Sequence, residues 1–321
     1  MMRQLSIQCS RMITRREALR GSAGLALAAG LVCQLPAARA QSAVHKLSVG
    51  SFEVSILSDG NLTLPMSVAV PGHDANELKA LFEPAGLPLD TITAQVNVTV
   101  VKTPEALILI DTGGGTEFMP SVGKLADALE TAGFALDAFT HVIFTHAHAD
   151  HLWGVIDPFE GGTRFTKARH IISAVEFDYW MKPGREADVP DMFKTMAVGT
   201  ARRLASVADR IEQRRPGDEI VPGVQLVDTS GHTPGHVSVL VQSGTERLFV
   251  GGDALNHALV SFSHPAWRWG SDMNPDLAIK TRLQLLDRLT SDKAALLGYH
   301  LPWPGLGRVE RKNTAFQFTS I

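Results

Sequence analysis

Residues 145–151 constrain this chain more than any other segment, because three histidines and one aspartate follow directly after an apolar run. So many polar side chains are costly to bury without partners, and bound metal is the simplest explanation. His146 and His148 are two residues apart, so they point to the same side of extended backbone. Asp150 and His151 follow where the chain turns toward a helix, and they can face a second ion. One short loop can therefore serve two neighbouring cations.

Three later segments carry similar side chains, each after a predicted strand. The loop at residues 231–236 contains His232 and His236, Asp253 follows two glycines, and His300 follows the last buried strand. Taken singly these signals are weak, because a Gly-Asp pair commonly forms a turn and a lone histidine is commonly a hydrogen-bonded polar group. Four such segments at strand ends favour one shared metal site.

With this combination of motifs, residues 41–321 resemble the metallo-β-lactamase-fold hydrolases. The H-x-H-x-D-H motif of that family matches residues 146–151, and its G-H-T-P-G-H loop matches residues 231–236. The resemblance implies an α/β fold, an αββα four-layer sandwich with a dinuclear metal centre at one edge. The implied ligands are His146, His148 and His232 for one ion, Asp150, His151 and His300 for the other, and Asp253 as the bridge.

The resemblance also implies residues that support the ligands. His236 is expected to form hydrogen bonds behind them, and Asp111 and Asp59 are expected to orient them. A mature chain without cysteine, and with a bridging aspartate, differs from true β-lactamases. The closer match is to methyl parathion hydrolase and related lactonases and arylesterases, through residues 50–54, 57–60, 111–113, 231–236 and 300–307.

In that subfamily aromatic side chains line the pocket for the leaving group. The matching positions are Phe118, Trp180 and Phe193, and His257 is expected at the pocket rim. Ordinary packing in the core is the alternative for the three aromatic residues, and a surface or supporting role is the alternative for His257.

A dinuclear centre implies hydrolysis. Two cations about 3.5–4 Å apart lower the pKa of a bridging water toward 7. The expected nucleophile is therefore a metal-bridging hydroxide, which Asp253 would position and whose proton it would accept. The expected reaction is cleavage of lactone or aryl ester bonds, extending to organophosphate triesters of the methyl parathion type. Residues 254–257 contain no tyrosine, although acyl-homoserine lactonases often carry one there, so this feature disfavours that substrate.

Metal identity and two other functions stay open. A ligand set of nitrogen and oxygen suits Zn²⁺, Mn²⁺, Co²⁺ or Fe²⁺, and Zn²⁺ is the default for such hydrolases. One alternative function is a mononuclear iron sulfur dioxygenase on the same fold, and another is a non-catalytic protein that has kept the fold. The complete set of seven ligands favours the hydrolase over both.

Hydrophobic periodicity predicts two groups of strands, each with helices, and hence two sheets packed face to face with helices outside. The predicted strands are residues 47–49, 52–57 (ended by a turn at 58–60), 95–101, 106–110, 141–144, 168–173, 224–227, 237–241, 248–250 and 294–297. The predicted helices are residues 75–82, 121–132, 174–181, 190–210 and 275–289. Residues 62–88 are otherwise expected to be irregular.

Residues 1–40 are predicted to be a cleaved export signal that precedes a single hydrolase domain at residues 41–321. Arg15 and Arg16 stand before an apolar run, which ends near an Ala-Arg-Ala cleavage site at residues 38–40. The paired arginines favour twin-arginine export, with a general secretory signal as the alternative. The apolar run is shorter than the ~20 residues that span a bilayer, so we expect no stable membrane anchor. The expected location is periplasmic or secreted.

Charge and composition limit the classes of partner and of metal ligand that we expect. The whole chain has a formal net charge of −3, and residues 1–40 hold six arginines and one glutamate, so the rest carries −8. That charge argues against a nucleic-acid surface. Both cysteines also fall in residues 1–40, so thiolate ligands are not expected. We expect a small-molecule ester, lactone or phosphotriester as substrate, and apolar side chains in residues 62–88 suggest a homodimer.

Overall fold

Two seven-stranded sheets form the frame of the computed structural model, which describes residues 44–159 and 161–321. The first sheet has the strand order β1 to β7, and the second has the order β14 to β8. The first contains β1 (Val44–Val49), β2 (Phe52–Pro65), β3 (Thr91–Lys102), β4 (Leu107–Ile110), β5 (His141–Ile143), β6 (Arg169–Ser173) and β7 (Ile211–Arg214). The second contains β8 (Glu219–Val221), β9 (Val224–Asp228), β10 (Val237–Ser243), β11 (Glu246–Val250), β12 (Ala295–Leu297), β13 (Leu306–Lys312) and β14 (Ala315–Ser320).

Helices connect these strands and cover the outer faces. In the described residues they are α1 (Met66–Ala69), α2 (Ala75–Phe82), α3 (Leu125–Thr131), α4 (Ala149–Leu152), α5 (Ala174–Met181), α6 (Arg185–Asp188), α7 (Asp191–Ser206), α8 (Val260–Ser263) and α9 (Pro275–Asp292). Short 3-10 turns follow several of them, including Trp153–Val155 and Gly252–Ala254.

Alternation of side chains along the strands produces the layers. In β4, Ile108 and Ile110 join a core between the sheets that includes Val239 of β10, whereas Leu109 joins a second core with α3 and α7. A third core holds the outer face of the second sheet against α8 and α9. The order helix, sheet, sheet, helix confirms the αββα sandwich.

The predicted turn at residues 58–60 is wrong. Strand β2 continues to Pro65, and its pairing with β3 shifts register between Ser58 and Gly60. Gly60 has φ +121°, and a Cβ there would lie 2.0 Å from the carbonyl oxygen of Ser121. Only glycine allows this bulge, so a residue that is typical of a turn instead continues the strand.

Several predicted elements match the structure, whereas others shift or were missed. The helix predicted at residues 75–82 is confirmed as α2, and Asp74 and Glu77 form its capping box. The helix predicted at residues 121–132 begins only at Leu125, and the one predicted at 190–210 ends at Ser206. Strands β7, β8, β13 and β14 were not predicted: β7, β8 and β14 are edge strands, and β13, which lies inside the sheet, is mostly exposed in its second half.

The predicted export signal at residues 1–40 lies outside the described residues and stays a prediction. The described residues all belong to one compact unit. Within the described part of the chain, no helix has the length and apolar character needed to cross a bilayer. The homodimer also stays a prediction.

Candidate metal centre

The candidate centre lies at one edge of the sandwich, where strands from both sheets end. β4 and β5 are parallel, so the turn after β4 and the histidine segment after β5 reach the same edge. β11 and β12 are parallel as well, and β9 runs in the same direction because both β9 and β11 are antiparallel to β10. The amide of Val237 donates a hydrogen bond of 2.9 Å to the carbonyl of Thr145, which joins the two sheets at this edge.

The structure brings all seven predicted ligands together. Their ligand atoms fall into three groups, and in each group all atoms lie within 4.8 Å of one another. The groups are His146, His148 and His232; Asp150, His151 and His300; and His146, His151 and Asp253. We call the first the three-histidine subsite and the second the mixed subsite. The third group connects the two.

Asp253 stands between the subsites. Its Oδ2 lies 3.2 Å from Nε2 of His232 in the three-histidine subsite and 3.2 Å from Nε2 of His300 in the mixed subsite. Its Oδ1 lies 3.0 Å from Nε2 of His151. A single carboxylate therefore faces ligands of both subsites, which is the placement that a bridging role requires.

Hydrogen bonds behind the site fix three of the imidazoles. In each, Nδ1–H donates to an oxygen, which leaves the Nε2 lone pair directed at the centre. The pairs are His151 with Asp111 at 2.8 Å, His232 with Asp272 at 2.9 Å, and His300 with the carbonyl of Gln95 at 2.7 Å. These bonds set the orientation of the rings before any ion binds.

The donor atoms fit two divalent cations. Nε2 of His146 is buried and forms no hydrogen bond, and Nε2 of His151 and Oδ1 of Asp253 face each other at 3.0 Å without the geometry of a hydrogen bond. Buried polar atoms without partners are costly, and coordination of a cation would satisfy them. Nδ1 of His148 lies 3.0 Å from Nε2 of His232. Two ligands about 2.1 Å from one tetrahedral ion would be about 3.4 Å apart, so this spacing is close to that of a shared zinc-type ion.

Burial and charge shift the pKa values of the imidazoles in opposite directions. Burial lowers the pKa values of His146 and His148 well below the usual range, so both are neutral, as metal ligands must be. Burial would also lower the pKa of His300, but the charge of Asp253 and the hydrogen bond with Asp150 raise it to about 10. The carboxylates of Asp150 and Asp253 thus favour positive charge beside them, which a divalent cation would also supply.

The three predicted supporting residues have different roles. Asp111 accepts hydrogen bonds from His151 and from the Thr145 amide, the latter at 2.8 Å, so it holds the ligand segment directly. His236 accepts a hydrogen bond of 3.0 Å from the amide of Asp253, and burial lowers the pKa of His236 to about 3. Asp59 touches no ligand. It accepts hydrogen bonds from the amides of three residues in the following loops: Gly114, Gly123 and Leu125.

Two residues that support the ligands were missed from the sequence. Asp272 is buried behind His232 and also accepts a hydrogen bond of 2.9 Å from Arg282. Tyr299 stacks on His151 with the ring centroids 3.9 Å apart, and its hydroxyl donates to the carbonyl of Asp150 at 2.7 Å. Tyr299 had a signal, because it directly precedes a ligand, whereas Asp272 had none.

A cavity of about 240 Å³ opens above the centre. Four ligands line it: His148, Asp150, Asp253 and His300. Its walls are mainly apolar and include Leu62, Leu64, Phe118, Met119, Phe193 and Met196. Neither lysine nor arginine occurs among the described residues that line it. The predicted pocket residues Phe118 and Phe193 therefore lie where a substrate would contact them.

Trp180 and His257 lie elsewhere. Trp180 is fully buried behind His148, with the ring centroids 6.0 Å apart, and its indole donates to Glu176 at 2.7 Å. The prediction that Trp180 lines the pocket is therefore wrong, because this side chain packs in the core. His257 is not among the described residues that line the cavity. It stacks on Trp269, which is one of them.

A family model described as the metallo-beta-lactamase superfamily matches residues 92–300, which contain all seven ligands. The chain belongs to the metallo-beta-lactamase superfamily. Among curated members, a probable metallo-hydrolase of Mycobacterium bovis is 28% identical over 182 residues, which cover 50% of this chain and 57% of that protein. The chain thus spans little more than half the length of that relative. An N-acyl homoserine lactonase of Bacillus thuringiensis is 26% identical over 224 residues, which cover 63% of this chain and 79% of the lactonase.

Solved structures of the superfamily share the same fold. AidC, a dizinc quorum-quenching lactonase in complex with a product, has a TM-score of 0.82 and 28% identity, with 87% of this chain and 98% of AidC covered. The hydrolase AbOPH has a TM-score of 0.81 and 23% identity, with 88% of this chain and 98% of AbOPH covered. The similarity to AbOPH supports the fold alone.

Proposed function

We propose that this chain is a dinuclear-metal hydrolase that opens neutral lactones with an apolar substituent, and that the same site cleaves aryl esters and organophosphate triesters. The observation that carries the proposal is the floor of the cavity. Side chains of both subsites, together with Asp253, lie at the base of an apolar space, so a substrate there would reach both ions. Zinc is the proposed metal.

Two divalent ions at this centre would lower the pKa of a bound water toward 7 and polarise the scissile carbonyl or phosphoryl group. Asp253 faces ligands of both subsites, and its carboxylate is placed to hold that water and accept its proton. The amide of Asp253 donates to His236, which is itself hydrogen-bonded to Thr229 at 2.8 Å. Asp253 therefore keeps its orientation without help from the substrate.

The walls of the cavity select for substrates that are neutral and apolar. Phe118, Met119 and Met196 would exclude water from the reacting group and contact an acyl or aryl substituent. Because lysine and arginine are absent from the lining described above, an anionic substrate would gain no counter-charge there.

A lactone suits this lining better than an ester with a poor leaving group. The lining offers no lysine or tyrosine to protonate a departing alkoxide. The alkoxide of an opened lactone stays tethered to the acyl group, and a phenolate leaves without protonation. Neither a lactone nor an aryl ester therefore requires a proton donor in the lining. The N-acyl homoserine lactonase among the relatives and the dizinc lactonase AidC support the choice of lactones.

Turnover of a matched substrate panel tests the proposal. Zinc-loaded protein is assayed with N-acyl homoserine lactones, γ-alkyl lactones, p-nitrophenyl esters and methyl paraoxon. We expect chelator-sensitive hydrolysis that is fastest for lactones with an apolar chain. Asp253→Ala should abolish turnover and reduce bound metal, whereas Asp127→Ala, an exposed change on α3, should alter neither.

The alternative function predicts other results. One iron per chain, together with oxygen consumption on a persulfide and no hydrolysis of any panel member, would favour the sulfur dioxygenase. Full hydrolytic activity in Asp253→Ala with two ions retained would contradict the bridging role of that carboxylate.

A further inference from the structure

Glu176 is a buried carboxylate that lies outside the set of metal ligands. It belongs to the first turn of α5, which follows β6 directly, and its exposed fraction is 0%. It does not line the cavity above the centre. A buried carboxylate in such a position requires several hydrogen-bond donors around it, and Glu176 has four.

The four donors are shared equally between the two carboxylate oxygens. Oε1 accepts from the amide of Ala147 at 2.9 Å and from the indole of Trp180 at 2.7 Å. Oε2 accepts from the hydroxyl of Thr233 at 2.7 Å and from the amide of Gly235 at 3.0 Å. Every contact is a donor, which matches the acceptor-only character of an ionised carboxylate.

Three of these donors belong to the loops that carry the three-histidine subsite. Ala147 stands between the ligands His146 and His148, and Thr233 and Gly235 follow the ligand His232. His148 and His232, which the two loops carry, are 84 residues apart in sequence, and hydrogen bonds to charged groups are stronger than those between neutral groups. One side chain thus fastens both loops to the start of α5.

Close packing and one further hydrogen bond also hold the backbone around Glu176 and Ala147. A Cβ at Gly235 would lie 2.2 Å from the backbone nitrogen of Glu176, so the loop touches the helix and only glycine fits. On the other side of the Ala147 peptide, Thr200 of α7 donates to the Ala147 carbonyl at 2.9 Å. The backbone between His146 and His148 is therefore held at both its amide and its carbonyl.

The mixed subsite is held by different groups. His151 is oriented by Asp111, and His300 by the carbonyl of Gln95. The carbonyl of Asp150 accepts from Tyr299. The four hydrogen bonds of Glu176 reach none of these residues.

We propose that Glu176 is a positioning residue that sets the spacing of the two loops of the three-histidine subsite, and so controls metal affinity there and not at the mixed subsite. This inference rests on the proposed dinuclear centre. Glutamine at this position would place an NH₂ group against two donors. It would therefore break the hydrogen bonds on one oxygen while keeping the size of the side chain.

The test measures zinc affinity at one subsite at a time. His300→Ala leaves the three-histidine subsite complete, and His232→Ala leaves the mixed subsite complete. Glu176→Gln is introduced into each background, and zinc affinity is measured by competition with a chromophoric chelator. We expect the affinity to fall about 10–100-fold in the His300→Ala background and to change less than about 2-fold in the His232→Ala background.

Two further variants keep the inference falsifiable. Thr233→Val removes a single donor and should give a smaller loss, about 3–10-fold, at the three-histidine subsite alone. Glu186→Gln, at an exposed position of α6, is the matched control and should produce no loss in either background. Equal losses in both backgrounds, or none in either, for Glu176→Gln and Thr233→Val would overturn the inference. If the unaltered chain bound fewer than two zinc ions, the proposed function itself would fail, which is a distinct result.

Discussion

Asp272 accepts a hydrogen bond of 2.9 Å from Nδ1 of the metal-ligand candidate His232. Its second oxygen accepts from Arg282, which also donates to the carbonyls of Pro265 and Trp267. Asp272 and Arg282 are both buried. Carboxylates that bind the outer nitrogen of a ligand histidine fix the ring and raise its basicity.

We therefore predict that Asp272→Asn lowers zinc affinity at the three-histidine subsite about 10-fold. The amide keeps the shape of the side chain but loses the charge that favours donation from Nδ1. Competition with a chelator measures the change. Asp276→Asn is the matched control, because that side chain is 85% exposed and pairs only with Arg268 among the described residues. Equal affinities for the Asp272 variant and the unaltered chain would show that the pair does not tune the site.

Met196 should contribute to chain-length preference. It lines the cavity from α7, whereas Val198, two residues later on the same helix, is 56% exposed on another face. Met196→Ala removes about two to three methylene equivalents of apolar contact, each worth about 0.8 kcal/mol. We expect kcat/KM to fall about 15–60-fold for a decanoyl lactone and much less for a butanoyl lactone. Val198→Ala should change neither value, and equal losses on both lactones would remove Met196 from the substrate contact.

Acid should destabilise the fold through His170. Burial, assisted by the nearby charge of Arg210, lowers the pKa of His170 to about 4, below the usual 6.5. The unfolded chain therefore binds the proton first, so stability is complete above about pH 6.5 and is lost as the pH falls toward 4. The advantage of the native histidine over His170→Gln in the free energy of unfolding should shrink by about 2 kcal/mol from pH 7.5 to pH 5. Urea titrations measure this difference, and a constant difference across that range would contradict the lowered pKa.

The sequence predicted which side chains meet at this site, because each belongs to a short motif at a strand end. His146, His148, Asp150 and His151 are adjacent in the chain, and the fold resemblance supplied the order of the others. Because parallel strands end at the same edge of a sheet, segments that follow them lie close together there. Contacts between distant residues gave no comparable signal. Glu176 lies 57 residues before Thr233, and nothing in the sequence around Glu176 indicates that the two side chains form a hydrogen bond.

The incorrect predictions have physical causes as well. Gly60 suggested a turn, but its positive φ accommodates a bulge inside a long strand. Trp180 was placed at the pocket because it matches an aromatic position of the subfamily that the chain resembles, whereas a hydrogen bond to Glu176 holds it in the core, which was the alternative. Local sequence does not specify which face of a helix meets a cavity and which meets a core.

The most direct test of the dinuclear centre is a crystal structure of the zinc-loaded protein, with anomalous data at the zinc edge. We predict two zinc peaks about 3.5–4 Å apart. One should be bound by His146, His148 and His232 and the other by Asp150, His151 and His300, with Asp253 in contact with both. A single zinc ion, or two ions with Asp253 bound to only one of them, would contradict it.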